Sequence, residues 1–197
     1  MLKGAAGSLD LLLIILPTSN SQLYHPIKTC GDTKFGIHTI CVVAEKLAKE
    51  RGQDQYFNNV ALKLNLKLSG RNQLVDSTRL GIINEDKTMV VGVDVTHPSP
   101  GSSRTAPSIA GMVASIDRYV SQWPGVLRIQ SEALQEMVSD MKDMLKSRLR
   151  LWKELRGHKV LPENILVYRD GVSEGQYQKV LDEELPLFRA ACKEVYP

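Results

Sequence analysis

Two aspartates occupy positions where an apolar strand would carry a carboxylate to the edge of a sheet. Asp94 lies inside the apolar run 90–95, and Asp170 directly follows the run 165–169. A buried, unpaired carboxylate is costly, so each is predicted to be neutralised, paired or bound to a metal. If their strands are neighbours, the two acids would suit one or two Mg²⁺ ions, which prefer hard oxygen ligands. Two such ions about 3.5–4 Å apart support in-line attack of water on a phosphodiester.

A purely structural interpretation competes with this one. Asp94 would then pair with a nearby cation, for which Arg169 is one candidate, and Asp170 would only begin a turn with Gly171. Because the residues alone do not give the order of the strands, both interpretations stay open at this level.

The elements that would position these acids follow an α/β pattern. In the first part of the chain, the continuous apolar run Leu11–Leu16 is typical of a buried parallel strand. A helix over residues 22–34 and a second strand, His38–Val43, are predicted to follow it. Residues 56–69 fit both an alternating strand pattern and a helical stripe, and we favour the helix slightly. The polar stretch 71–88 is predicted to be a linker between domains 1–70 and 89–197.

The second part of the chain is predicted to form a strand-rich layer with two helices. Short connections between its first three strands indicate an antiparallel meander. Its predicted strands cover residues 89–95, 108–116, 126–130 and 165–169, and its predicted helices cover residues 132–156 and 175–193.

Composition excludes several classes of protein. With 197 residues, 43% hydrophobic residues and a net charge of +3, the chain is neither a disordered tail nor a collagen-like fibre. The three cysteines form no Cys-x-x-Cys pair, which indicates a reducing, cytoplasmic compartment and argues against zinc. The six-residue run Leu11–Leu16 is too short for a signal peptide or a membrane span, so we expect no membrane partner. The excess positive charge falls in residues 1–90, which is a weak indication of an anionic partner there.

Five phrases of the sequence resemble motifs of eukaryotic Argonaute proteins. Residues 92–98 (Gly-Val-Asp-Val-Thr-His-Pro) and 168–176 (Tyr-Arg-Asp-Gly-Val-Ser-Glu-Gly-Gln) resemble the two aspartate motifs of the PIWI domain. Residues 24–28 (Tyr-His-Pro-Ile-Lys), 31–33 (Gly-Asp-Thr) and 63–68 (Lys-Leu-Asn-Leu-Lys-Leu) resemble the phosphate-pocket motifs of the MID domain. The resemblance covers nearly the whole chain in the family's order.

The resemblance implies a partial Rossmann-like MID segment followed by a partial RNase H-like PIWI segment. In that fold the strands of Asp94 and Asp170 are adjacent, and both residues would be catalytic and hold Mg²⁺. The family's site also uses a glutamate, which corresponds to Glu136, with Glu132 as the alternative because the spacing is one residue longer than usual. The family's last ligand, a histidine or aspartate, belongs to a part of PIWI outside this chain, so we expect no cleavage by the chain alone.

For the first part, the resemblance implies a pocket for the 5′-phosphate of a small guide RNA. Tyr24 would stack on the first base, which is worth about 1–3 kcal/mol. Lys28, Lys63 and Lys67 would meet the phosphate, and the spacing of the last two puts them on one face of a helix. A solvated helix face is the alternative for these two lysines.

One position departs from the family's pocket. Animal relatives usually carry glutamine where Ile40 stands, so Thr39 is expected to supply a hydroxyl to the phosphate instead. The loop 18–23 would face the first base.

Three hypotheses for function result. The first is a guide-RNA-binding module of an RNA-silencing protein, and the second is a Mg²⁺-dependent endoribonuclease that cuts guide-paired target RNA. The third is a truncated fragment without an autonomous role, which needs the remaining parts of the same protein or another silencing protein as its partner.

Overall fold

The computed structural model describes residues 9–103, 105–130, 135–155, 158 and 160–197. The chain divides into two compact units, Met1–Asn72 and Gln73–Pro197. Each unit contains one sheet, of two strands in the first and four in the second. No helix in the described part of the chain is both long and apolar enough to cross a membrane.

The first unit is built on a parallel pair of strands. β1 (Leu11–Leu16) pairs with β2 (His38–Val43) in a register that joins Leu11 to His38 and Leu16 to Val43. Between the strands runs α1 (Ser21–Thr29), which continues as a π-helical turn over Cys30–Phe35. The predicted helix over residues 22–34 is therefore confirmed, with a wider last turn.

The segment with the ambiguous pattern is helical, as favoured. After the short helix α2 (Ala44–Leu47), α3 spans Gln53–Lys67. The apolar positions of the helical stripe are Phe57, Val60, Ala61, Leu64 and Leu68. Of these, Val60 and Leu64 are half-buried, whereas Phe57 is 43% exposed and Leu68 is 54% exposed. The half-buried face instead carries residues spaced three or four apart along the helix, namely Tyr56, Val60, Leu64 and Lys67.

The second unit contains a sheet in the order β5-β4-β3-β6. Its strands are β3 (Thr88–Thr96), β4 (Ile109–Ala114), β5 (Gly125–Ile129) and β6 (Asn164–Arg169). The pairings β3–β4 and β4–β5 are antiparallel, which confirms the predicted meander. β6 is parallel to β3, so the strands of the two aspartates are neighbours. Within residues 71–88, before β3, the chain forms two 3₁₀ turns, Ser77–Arg79 and Gly81–Glu85.

Two helices cover one face of this sheet. α4 (Met141–Leu155) and the last helix of the chain pack on the inward side chains of β3 and β4. The most deeply buried members of this core are Met89, Val91, Ala110, Ala114, Met141, Met144, Leu145, Leu149 and Ala191. The strand alternation that buries this set leaves the other residues of β3 on the opposite face.

The predicted helix over residues 132–156 is wrong at its start, because α4 begins only at Met141. Residues 136–138 give their backbone groups to side chains of other elements instead of to a helical turn. The Glu136 carbonyl accepts from Arg169, the Met137 carbonyl accepts from Gln130, and the Val138 amide donates to Glu184. The alternative glutamate, Glu132, and Arg156 lie outside the described residues.

The predicted helix over residues 175–193 is interrupted. It consists of a 3₁₀ turn (Glu174–Gln176), α5 (Tyr177–Lys179), a π-helical turn (Val180–Glu184) and α6 (Leu185–Val195). Pro186 has no N–H to donate to the carbonyl four residues earlier, so an α-helical ladder cannot run through this point. The widened turn ends two residues before that proline.

Candidate functional site

Asp94 lies on the open face of the second sheet. Its neighbours Val93 and Val95 are 2% and 7% exposed and face the core, whereas Asp94 itself is exposed. The expectation of a buried carboxylate is therefore wrong, because strand alternation turns this side chain outward. The suggested pair with Arg169 is also not what the structure shows, since that guanidinium pairs with Glu136 and Glu184.

Asp170 begins a tight turn beside the same strand. Its amide donates to the Val93 carbonyl over 2.9 Å, and its own carboxylate accepts from the Gly171 amide over 2.8 Å. Gly171 has a φ of +77°, a region that favours glycine. The turn therefore places Asp170 one strand away from Asp94.

Gly171 is also where the third predicted acid arrives. A Cβ atom at this glycine would lie 3.1 Å from Glu136 Oε1 and 3.2 Å from Asp94 Oδ1. The side chains of Asp94 and Glu136 thus flank the turn that Asp170 begins. We call this arrangement of Asp94, Glu136, Asp170 and Gly171 the carboxylate corner.

Two cationic or polar side chains hold Glu136 at the corner. His97 Nε2 lies 2.8 Å from Glu136 Oε2, and Arg169 Nη1 lies 3.3 Å from Oε1. His97 is oriented in turn by the buried Ser108, whose Oγ lies 2.8 Å from Nδ1. The Glu136 side chain is only 17% exposed, compared with 30% for His97 and 9% for Arg169.

Arg169 links the corner to a buried acid that the sequence did not single out. Its Nε lies 3.0 Å from Glu184 Oε2, and Glu184 is 1% exposed. Sequence reasoning gave no role to His97, although it lies inside the quoted motif 92–98. It also passed over Glu184, which is one of three consecutive acids and resembles part of a solvated run. The proline two residues later was the one available signal.

The corner has the donor chemistry of a magnesium site. Carboxylate oxygens are what Mg²⁺ prefers, and Asp94 and Asp170 are the residues that would hold it. In the described part of the chain, however, no three His, Cys, Asp or Glu side chains are grouped closely enough to hold one ion. Glu136 contributes its oxygens to His97 and Arg169 instead.

The first unit gathers three of its five predicted pocket residues. Lys28 Nζ donates to the Thr39 carbonyl and lies 3.0 Å from Thr39 Oγ1. The same ammonium is 5.7 Å from the centre of the Tyr24 ring. Thr39 is fully buried, and Gly31 is required beside it, because a Cβ there would lie 2.6 Å from the Thr39 methyl group.

A cavity of about 300 Å³ opens beside Tyr24, and of the five predicted pocket residues Tyr24 alone lines it. It lies at the carboxyl ends of the two parallel strands, which is where open α/β sheets bind ligands. Asn20 lines the cavity and caps α1, accepting from the Gln22 amide over 2.8 Å. The lining residues are Leu16, Ser19, Asn20, Ser21, Tyr24, Cys41 and Val43. Burial raises the pKa of the Cys41 thiol, and the nearby Lys28 charge partly opposes that shift.

The remaining two pocket residues, Lys63 and Lys67, lie on α3. Lys67 belongs to the half-buried face of the helix and Lys63 is exposed one turn before it. This face packs on β2 at its other end, where the Tyr56 hydroxyl accepts from the Val43 amide over 3.1 Å. The structure thus groups Tyr24, Lys28 and Thr39 directly, and relates the two α3 lysines to them only through the shared strand.

Comparison with known proteins matches residues 11–197 to the Piwi domain family. Protein argonaute 1A of Oryza sativa subsp. japonica is 39% identical over 98% of this chain, and the chain spans 19% of that relative. The crystal structure of the N. crassa QDE-2 AGO MID-PIWI domains superimposes with a TM-score of 0.83 at 44% identity, over 100% of this chain and 54% of that one. Kluyveromyces polysporus Argonaute with a guide RNA gives a TM-score of 0.82 at 28% identity, over 95% of this chain and 22% of that one. The resemblance and the α/β fold class inferred from the sequence are confirmed.

Proposed function

Because this chain belongs to the Piwi domain family and has Argonaute relatives, we propose that its first unit binds the 5′-phosphorylated end of a small guide RNA in an RNA-silencing protein. One observation carries the proposal: the Lys28 ammonium lies 3.0 Å from the hydroxyl of the buried Thr39 and 5.7 Å from the centre of the Tyr24 ring, and Tyr24 in turn lines a cavity at the carboxyl ends of the strands. The Argonaute structure with a guide RNA supports the choice of ligand. The chain spans about a fifth of its curated relatives, so the partner is proposed from these contacts.

Lys28 is suited to a phosphate because its position is set before the ligand arrives. Thr39 takes two contacts from the ammonium, through its carbonyl and its hydroxyl. An ammonium has three N–H donors, so one can point at a phosphate oxygen. A charge-assisted hydrogen bond of this kind is stronger than a neutral one.

Lys63 and Lys67 would add charge from the helix. α3 begins beside the end of β2, where Tyr56 contacts Val43, and packs against that strand. Lys67 belongs to the half-buried face that begins at Tyr56, and Lys63 is exposed one turn before it, on the same side of the helix as Lys67. A helix that follows a strand of a parallel pair runs back along it, toward the end where Thr39 lies.

Tyr24 and the cavity would take the first nucleotide. Tyr24 is 41% exposed, which leaves room for a base to stack on its ring. The loop that holds Ser19, Asn20 and Ser21 lines the same cavity and would contact the edge of that base.

The test is filter binding of the full chain to matched RNAs that carry a 5′-phosphate or a 5′-hydroxyl. Lys28→Gln is expected to remove most of the preference for the phosphate, and Lys63→Gln part of it. Lys49→Gln is the matched control, because Lys49 is exposed in the same unit and outside the proposed pocket. Equal affinity of the unaltered chain for the two RNAs would exclude the proposal.

A second function, Mg²⁺-dependent cleavage of guide-paired target RNA, is favoured by the carboxylate corner. Asp94, Glu136 and the Asp170 turn meet at Gly171. Bound Mg²⁺ would supply Lewis-acid activation of a phosphodiester and of water. The part played by the chain's own residues is to hold Glu136 through His97 and Arg169 beside the two aspartates.

Cleavage is tested with guide-paired target RNA and Mg²⁺, with Asp94→Ala as the inactive control. We expect no cutting by this chain alone. Cutting that Asp94→Ala abolishes would make the enzyme the correct function.

A further inference from the structure

The segment that carries Glu136 is held by three side chains from three different elements. Arg169 Nη2 donates to the Glu136 carbonyl, Gln130 Nε2 donates to the Met137 carbonyl over 3.0 Å, and Glu184 Oε1 accepts from the Val138 amide over 2.9 Å. Three consecutive residues are thus satisfied without forming a helix or a strand. Since Gln130 and Glu184 are 3% and 1% exposed, these contacts are shielded from water.

Glu184 acts on this segment twice. It binds the Val138 amide directly, and it also faces Arg169 with both oxygens, at 3.0 and 3.2–3.3 Å. A buried carboxylate is tolerated only with such compensation, and a guanidinium left without it would be equally costly. Glu184 therefore sets the orientation of the guanidinium that contacts both the carboxylate and the carbonyl of Glu136.

The π-helical turn buries Glu184 and leaves the two acids before it exposed. Asp182 and Glu183 are exposed, whereas Glu184 ends the turn facing the core. Widened helical turns of this kind are often found at functional sites. The π-helical turn before Pro186 therefore determines which acid contacts the Val138 amide, three residues before α4 begins.

Gln130 holds the same segment from the side of the sheet, through the Met137 carbonyl. It follows β5, and its amide donates to the Ser108 carbonyl over 2.9 Å. Ser108 also orients His97, the second partner of Glu136. The side chains that hold Glu136 and its segment are therefore themselves held by hydrogen bonds, His97 and Gln130 by Ser108 and Arg169 by Glu184.

We propose that Glu184 and Gln130 are positioning residues that keep Glu136 docked at the carboxylate corner. Glu184 acts through Arg169 and the Val138 amide, and Gln130 acts through the Met137 carbonyl. The inference goes beyond guide binding, since it concerns only the second unit, and it holds whether or not the chain cleaves RNA.

Hydrogen exchange of the full chain, resolved at residues 135–139, tests the proposal. In Glu184→Gln the Val138 amide is expected to exchange about 10-fold faster, because the glutamine amide oxygen can accept only a neutral hydrogen bond in place of the charge-assisted one. The exchange rates of the β3 amides are expected to rise only as far as any loss of global stability requires. Glu183→Gln makes the same chemical change at an exposed position one residue earlier and is expected to leave both regions unchanged.

The side-chain resonance of Arg169 provides a signature that a loss of packing alone would not produce. Its Nε–H donates to Glu184, so this resonance should be slowly exchanging and shifted downfield. Glu184→Gln should move it toward the position of a solvated arginine, and Glu183→Gln should not. Assignment by comparison with Arg169→Lys makes the measurement specific.

Gln130→Leu keeps the test decisive if Glu184→Gln does not fold. It removes the donor to the Met137 carbonyl at nearly constant volume and leaves Arg169 and Glu184 unchanged. We expect faster exchange over residues 135–139 with the Arg169 resonance in place, and no change in the exposed control Gln178→Leu. Unaltered exchange at residues 135–139 in Gln130→Leu, or a uniform increase across the second unit in either variant, would overturn the proposal.

Discussion

Gly171→Ala is the substitution that measures how tightly the carboxylate corner is packed. The added methyl group would stand 3.1 Å from Glu136 Oε1 and 3.2 Å from Asp94 Oδ1. The backbone there has a φ of +77°, which costs a non-glycine residue about 1–2 kcal/mol. Moving the Glu136 oxygen also weakens its 3.3 Å contact with Arg169, and contacts of this charged kind contribute about 1.5–3 kcal/mol.

Gly101→Ala separates the two contributions. Gly101 has a φ of +88°, and a Cβ there would meet nothing within 4 Å, so its substitution carries the backbone cost alone. We expect a loss in the free energy of unfolding of about 1–2 kcal/mol for Gly101→Ala and about 2–4 kcal/mol for Gly171→Ala. Urea denaturation followed by the fluorescence of the buried Trp152 reports on the same unit for both variants.

The comparison has a clear negative outcome. If Gly171→Ala costs no more than Gly101→Ala, the two carboxylates do not crowd the turn, and the corner is not the assembled arrangement described above. If Gly171→Ala costs more, and the excess disappears in a background that carries Glu136→Gln or Asp94→Asn, the crowding is assigned to that acid.

Three further predictions concern groups away from the corner. Hydrogen bonds from Lys146 and Lys142 lower the pKa of Glu194 to about 2, so the stability it contributes should be present above the ordinary glutamate pKa and be lost as the pH falls toward about 2. Thermal unfolding from pH 5 to pH 2 should be less acid-sensitive in Glu194→Gln. Burial raises the pKa of the Cys41 and Cys192 thiols, so mass spectrometry should show both alkylated more slowly at pH 8 than in the urea-unfolded chain. Asn20→Ala removes the cap of α1 and should cost about 1 kcal/mol by urea denaturation, whereas Ser19→Ala should cost little.

The strands of this chain could be predicted from the sequence because burial on one face produces alternating apolar residues and burial on both faces produces a continuous apolar run. The run Leu11–Leu16 and the strand through Asp94 were located within a residue or two of their observed bounds. The meander followed from connection lengths. That β6 is the parallel neighbour of β3 did not follow from connection lengths, because two strands and a helix separate the two strands in the chain.

The structure around Glu136 could not be predicted in this way. Residues 136–138 have an apolar pattern that continues into α4, and periodicity alone extends the helix through them. What prevents the helix is the supply of hydrogen-bond partners from Gln130, Arg169 and Glu184, whose bonds to this segment span 7 to 46 residues of the chain. Local propensity yields here to long-range contacts, as it often does at functional positions.

The burial of Asp94 was misjudged for a related reason. An apolar run around a carboxylate suggested enclosure on both faces, but only one face of β3 is covered by helices among the described residues. Glu184 was not singled out at all, since nothing in a run of three acids marks one of them as buried. In both cases the side chain's direction decides its burial, and composition does not report direction.

Direction also explains how one strand end serves two purposes. Arg169 is paired with Val93 in the ladder and turns with it toward the core, whereas Asp170, the next residue, binds the Val93 carbonyl and begins the turn at the corner. Because side chains alternate along a strand, a shift of β6 by one residue would exchange the positions of the cation and the acid. Both the holding of Glu136 and the placing of Asp170 therefore depend on a single register, and the apolar ladder from Met89 to Val93 is what maintains it. The packing of this core is thus part of the site, even though none of its side chains reaches the corner.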